Sequence, residues 1–265
     1  MLKRVFGMAA SLYVNKVGPH PGKRGVVRGL MRVSGETPVQ SRFGVRLLSD
    51  WRDNTNLLSV LGAYHEVFAV IDNIRPGTNF IDVGANAGVF SCVAGRRIGT
   101  SGSVIAFEPS SDNFRRLLMN ANLNKLPNFF PFQAAISSTT GVASFSPGPA
   151  GHSGIGHLEA SGPVKVLTFG ADALEVLLPP ILVGNSTMIK IDVEGAEFDV
   201  VRALSNTLLH KSSNTTTVII EIDQGNLARF GATPRDLYDC MHSNGFTATG
   251  EIGRLSHYDE VFLRH

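Results

Sequence analysis

NFIDVGANAGVF, residues 79–90, decides how the chain is read. An apolar run holding one acid, Asp82, enters a turn carrying Gly84, Asn86 and Gly88, and apolar residues then resume. A strand that passes through a glycine-rich turn into a helix is the opening unit of an α/β sheet. Glycine removes the side chain where backbone must approach a ligand. The turn lacks the G-x-G-x-x-G spacing of dinucleotide sites. An acid beside it would repel a pyrophosphate and suits a cationic ligand, an ammonium or a sulfonium.

Outward from this stretch, helices and strands alternate. LGAYHEVFAVIDNI (61–74) has helical spacing and ends at Arg75-Pro76-Gly77. SVIAFEPS (103–110) reads as a strand, SDNFRRLLMNANLN (111–124) as a helix capped by Ser110 or Ser111, and FFPFQAAIS (129–137) as a strand. TMIKIDVEGAEFDVVRAL (187–204) is a buried strand, an acidic turn and a helix, and TTTVIIEID (215–223) a further strand. TPRDLYDCMHSNGF (233–246) is a helix with Pro234 in its first turn. TATGEIG and DEVFLRH close the chain as two strands able to pair antiparallel. Continuous apolar strands suit a parallel sheet covered on both faces. The expected fold is a doubly wound α/β sheet, mostly parallel, with one reversed strand. Residues 138–163, rich in glycine and proline, read as a loop. Its part 147–162, holding His152 and His157, is expected to cover a substrate.

Composition narrows the classes. Hydrophobic residues make up 43% of the 265 residues, which excludes wholesale disorder. Two cysteines far apart, Cys92 and Cys240, exclude a disulfide scaffold and a zinc knuckle, and a reducing cytoplasm is expected. No apolar run is long enough to span a membrane. Residues 1–50 hold nine Lys/Arg against two acids, although the net charge of the whole chain is +2. They are taken as a basic N-terminal arm, residues 51–265 as the catalytic domain. Such an arm reads as a solvated extension or as a contact for an anionic partner. Within it, Val5 to Val14 is expected to form a short helix on the domain or on a partner.

Ligands of open α/β sheets bind outside the carboxyl ends of the strands. Three acidic strand ends are present. Asp82 closes the first. Glu108, twenty residues after Gly88, closes the second, at the distance where a carboxylate accepts both hydroxyls of a ribose. Asp192, Glu194 and Glu197 crowd a later one, and crowding of this kind raises a pKa and makes a general base. Glu197 reads equally as a cap of the following helix. Glu221 is an open case. No metal is expected. An unphosphorylated, positively charged adenosine fits these acids, and S-adenosylmethionine meets that description.

FIDVGANAGVFS, VIAFEPSSDNFRRLLMNANLN and MIKIDVEGAEFDVV together resemble the FkbM family of S-adenosylmethionine-dependent methyltransferases, over roughly residues 60–250. The resemblance implies the class I methyltransferase fold, a Rossmann-like sheet of seven strands ordered 3-2-1-4-5-7-6 with the seventh antiparallel. It implies O-methylation of a hydroxyl on a sugar or natural-product-like small molecule. It places Asp82, Gly84, Asn86 and Gly88 along the methionine and ribose, Glu108 on the ribose, and Glu66 at the methionine end. Asp192 and Glu194 face the reacting centre, Asp192 touching the cofactor as well. Two departures stand out: Gln133-Ala134 where an acid or amide often meets adenine, which leaves Gln133 for that contact, and no compact Leu-Asp pair within 167–172. For the base, Asp192 comes first, with His65, His152 and His157 as rivals. The alternative to an enzyme is a catalytically silent scaffold with the same fold. A nicotinamide dehydrogenase lacks its glycine fingerprint here, and no nucleic-acid partner is expected of an acidic domain.

Overall fold

The structure, a computed structural model, describes residues 2–211 and 213–264. Its centre is a seven-stranded sheet built from β3 (Thr78–Val83), β4 (Val104–Phe107), β5 (Phe129–Phe132), β10 (Ser186–Ile191), β11 (Thr215–Asp223), β12 (Thr247–Ala248) and β13 (His257–Leu263). The spatial order is β12-β13-β11-β10-β3-β4-β5. Counted along the chain, that is 3-2-1-4-5-7-6. β13 runs antiparallel to β11 and β12, and the remaining pairs are parallel. The order reverses between β3 and β10, so a crevice opens at their carboxyl ends.

Helices cover both faces. One layer holds α3 (Asn54–Leu61), α4 (His65–Asp72) and α5 (Val89–Ile98) around Phe68, Phe80, Phe90 and Ile219. The other holds α7 (Ala171–Leu177), α8 (Glu197–Leu204) and α10 (Pro234–Ser243) over Ile81, Val83, Ile189, Ile191 and Ile220. α6 (Ser111–Asn124) packs on α5, and α9 (Gln224–Arg229) follows β11. Thr233 and Asp236 form a reciprocal capping box at the start of α10.

Three features depart from the sequence-based expectations. The helix anticipated over 61–74 is divided: Gly62 takes a left-handed conformation with φ 79° and ends α3, and α4 starts at His65. The segment anticipated as a loop contains β7 (Gly141–Ser146) and β8 (His157–Glu159). With β6 (Ala135–Ile136) and β9 (Val164–Phe169) they make a second sheet ordered β6-β9-β7-β8. These pairings join residues eleven to thirty-three apart, beyond the reach of local periodicity. The N-terminal segment folds into α1 (Leu2–Lys16), α2 (Lys23–Ser34) and a hairpin of β1 (Pro38–Gln40) and β2 (Arg46–Leu48). Ala10, Val14, Val27, Met31, Val39, Val45 and Leu47 enter the same core as Phe68 and Phe80.

Candidate active site

The turn after β3 brings two acidic strand ends together. Gly84 and Ala85 donate their N–H groups to the Phe107 carbonyl, and Asp192 N–H donates to Val83 O. Gly84 has φ 80°, and a Cβ there would lie 1.8 Å from the Asp192 carbonyl oxygen. Only glycine permits this approach. At Gly88 a Cβ would strike the Leu117 side chain, so that glycine serves the packing of α5 on α6. Asn86 holds φ 50° and donates its N–H to Glu108 Oε2 at 2.8 Å.

A cavity of about 320 Å³ opens at these strand ends. Its walls differ in chemistry. One end is apolar: Val83, Ala85, Phe107, Ala135, Ile136 and Phe145. Next to it stands Glu108, buried, accepting from Asn86 N–H and, at 2.8 Å, from Ser110 N–H. Each oxygen accepts one of these bonds and has capacity for another. Burial pushes this carboxyl up to about 7, against the stabilising effect of those two donors.

The other end is acidic. Asp192, Glu194 and Glu221 line it and can place one carboxylate oxygen each within 4.8 Å of one another. That spacing can hold a cation. Lys190, fully buried beneath them, donates from Nζ to Asp192 Oδ2 at 2.7 Å and sits 4.5 Å from the Phe90 ring centroid. Burial alone would lower its pKa, but Asp192 and Asp82 outweigh that and hold it above the ordinary lysine value. Glu194, in a left-handed backbone conformation at φ 59°, accepts from Asn226 Nδ2 at 2.8 Å. Burial, with Asp192 and Glu197 adding their charges, raises Glu194 to about 7. Burial and the charges of Asp192 and Glu194 raise Glu221 above the ordinary carboxylate range. His257 stands beside it, with Nδ1 3.2 Å from Asp223 Oδ2 and Nε2 3.4 Å from Glu221 Oε1.

Loop 147–162 forms the roof. Ser153 O accepts from Asn86 Nδ2 and Asn113 Nδ2, each at 3.0 Å, and Ser153 Oγ donates to Asp53. His152 and His157 both face the cavity.

Gly84, Asn86, Glu108, Asp192, Glu194 and His152 therefore lie along the cavity. Asp82, Gly88, Glu66 and Gln133 do not. Asp82 is buried behind the turn, where Oδ2 accepts from Ser91 N–H at 3.0 Å and Ser91 Oγ at 2.6 Å, and Oδ1 has no hydrogen-bond partner among the described residues. It anchors the start of α5 and, paired with Lys190 across β3 and β10, balances the buried ammonium. Glu66 points to solvent because α4 begins at His65, which leaves Tyr64 on the cavity side, edge-on to Phe90 at 5.9 Å. Gln133 is exposed because β5 ends at Phe132 and the chain turns away. Glu197 has the helix-start role: Oε1 accepts from Val193 and Gly195 N–H groups. Lys190 and His257 were not singled out from sequence. A lone lysine inside an apolar strand, two residues before an acid, was the available signal for the first. His257 reaches the cavity only through the reversal of β13.

Comparison with known proteins identifies the family. Residues 82–248, more than half of the chain, match the methyltransferase FkbM domain model. The hexuronic acid methyltransferase AglP of Haloferax volcanii is 28% identical over 207 residues, covering 77% of this chain and 78% of that protein. Among solved structures, Aeropyrum pernix fibrillarin with natively bound S-adenosyl-L-methionine aligns at 11% identity over 75% of this chain and 74% of its own, with a TM-score of 0.45. A precorrin-6y C5,15-methyltransferase of Geobacter metallireducens aligns at 12% over 76% and 88%, with a TM-score of 0.44. The strand order, the strand-end cavity and the match over residues 82–248 together make this chain a member of the FkbM-domain methyltransferase family.

Proposed function

We propose that this methyltransferase moves a methyl group from S-adenosylmethionine to a hydroxyl of a sugar. The carrying observation is one cavity with an apolar end, a carboxylate placed for a diol, and an acidic end with room for a cation. These match, in that order, an adenine, a ribose, and a sulfonium with its ammonium. The acceptor class follows the likeness to a hexuronic acid methyltransferase.

When bound, S-adenosylmethionine supplies a methyl group activated by a positively charged sulfur. Glu108 holds the ribose hydroxyls. Phe107, Ile136 and Ala135 exclude water from the base. Asp192 holds the cationic end, its own charge fixed by Lys190. Because Asp192 is engaged by that ammonium, Glu194 is the better base: its carboxyl is raised to about 7, close to working pH. Alignment of the acceptor oxygen is the remaining requirement, and the roof loop with His152 and His157 supplies the wall for it. Glu108, Asp192 and Glu194 line one cavity, an arrangement that a silent scaffold does not require.

The test is mass spectrometry of neutral sugars and uronic acids incubated with the protein and S-adenosylmethionine. One added methyl on a sugar hydroxyl is expected, and it should vanish with Glu194→Gln. A protein that binds S-adenosylmethionine yet methylates none of these sugars would overturn the acceptor class.

A further inference from the structure

We infer that the outer face of α1 docks the protein on an anionic bilayer surface. α1 has two apolar faces, and the protein covers only one. Gly7, Ala10 and Val14 are buried on the inner face, against α2 and β1. A Cβ at Gly7 would lie 2.8 Å from Thr37 Oγ1, so that contact is tight. Leu2, Val5, Met8 and Leu12 are 68%, 51%, 66% and 59% exposed. At roughly 100° per residue these four fall within an arc of about 120°. A soluble helix keeps that arc polar.

The charges around the stripe name its occupant. Lys3, Arg4 and Lys16 lie on α1 with the stripe; on α2, Arg24 and Arg28 are turned to Asn54 and Arg32 to the Trp51 ring. No Asp or Glu occurs before Glu36. Arg4, Met8 and Leu12 line one shallow groove with Pro38, Gln40 and Arg46, so cations and apolar side chains share a surface. An apolar stripe bordered by Lys and Arg lies in the plane of a lipid interface, with anionic headgroups meeting the cations. A second copy fits poorly. Pairing two such stripes would bring Arg4, Lys16 and Arg46 of each copy toward those of the other, against the single acid Glu36 beside the groove. Among the described residues no helix is long and apolar enough to cross a membrane, so the contact is with the surface. The active-site cavity does not include α1, and the inference stands apart from the acceptor proposed above.

The experiment is co-sedimentation of the full chain with vesicles. One set holds phosphatidylglycerol and phosphatidylcholine in equal parts, the other phosphatidylcholine alone. The protein should pellet with the anionic set, far less with the neutral one, and be released by salt. Met8→Asp/Leu12→Asp changes only exposed positions and should cut the partition coefficient at least about tenfold, with thermal unfolding unchanged. Arg4→Glu should weaken binding to the anionic set alone. Three results would overturn the inference: no pelleting with anionic vesicles, a doubly substituted protein that pellets as well as the parent, or sedimentation velocity showing a dimer that the double substitution dissociates.

Discussion

Asp192 and Glu194 lie two residues apart at one strand end, yet their surroundings separate their chemistry. Asp192 receives the Lys190 ammonium at 2.7 Å, while Glu194 has only the Asn226 amide. The base should be the group whose carboxyl is raised by burial. Glu194→Gln is expected to lower turnover by ~10²–10⁴-fold with a small change in cofactor affinity. In the parent, turnover should rise with pH through the region of about 7, as Glu194 loses its proton, and Glu194→Gln should lose that limb. Asp192→Asn should instead weaken cofactor binding. If Asp192→Asn alone removed the pH limb, the two roles would be reversed. Glu108, Asp192 and Glu194 were legible as acids at strand ends, because strand ends are readable from apolar runs, and all three line the cavity. Asp82 lies behind the turn instead, since the same run does not tell whether an acid points past the turn or behind it. Glu66 points to solvent, and Tyr64 lines the cavity, for a similar reason: the phase of α4 depends on where Gly62 breaks the helix.

Between elements, the roof over the cavity depends on the start of α3. Asp53 accepts from Thr55 N–H as the N-cap and receives the Ser153 hydroxyl, and Gly154 N–H donates to Thr55 Oγ1 at 3.1 Å. The Gly151 carbonyl accepts from Asn54 N–H at 2.8 Å. Asp53→Ala should cost about 1 kcal/mol through the lost cap. It should also free the loop: hydrogen exchange at residues 151–156 should quicken and cofactor release should accelerate. Unchanged exchange there would show that the loop holds its place without α3. The parallel strands and α10 were legible because their signals are local: apolar runs and a proline at the first turn. The second sheet was not. β7 and β9 pair across a segment of glycines and prolines, and only the alternation in VKVLTF hinted at it.

The whole molecule is held by two helical layers, and the N-terminal segment belongs to one of them. Seven of its apolar side chains, from Ala10 to Leu47, are fully buried with Phe68 and Phe80. At roughly 1–2 kcal/mol each, their loss totals on the order of 10 kcal/mol, comparable to the whole stability of a domain. Deleting residues 1–48 should therefore yield an aggregating or unfolded chain, detectable by loss of the cooperative thermal transition. A soluble truncated protein with an unchanged transition would refute this packing. The charge asymmetry of the segment was visible in the sequence, whereas its burial was not, because it depends on packing between elements, α1 on α2 and β1, α2 on α3, and β2 on α6 some seventy residues away.

The most direct measurement is a calorimetric titration of S-adenosylmethionine into the parent protein and into Glu108→Gln, with circular dichroism confirming both folds. Glu108 sits between the apolar and the acidic ends of the cavity, and a carboxylate holding a diol contributes ~1.5–3 kcal/mol. The parent should bind one equivalent and the variant at least about tenfold more weakly. No heat with the parent, or equal affinity in a folded Glu108→Gln, would contradict the placement of the cofactor at these strand ends.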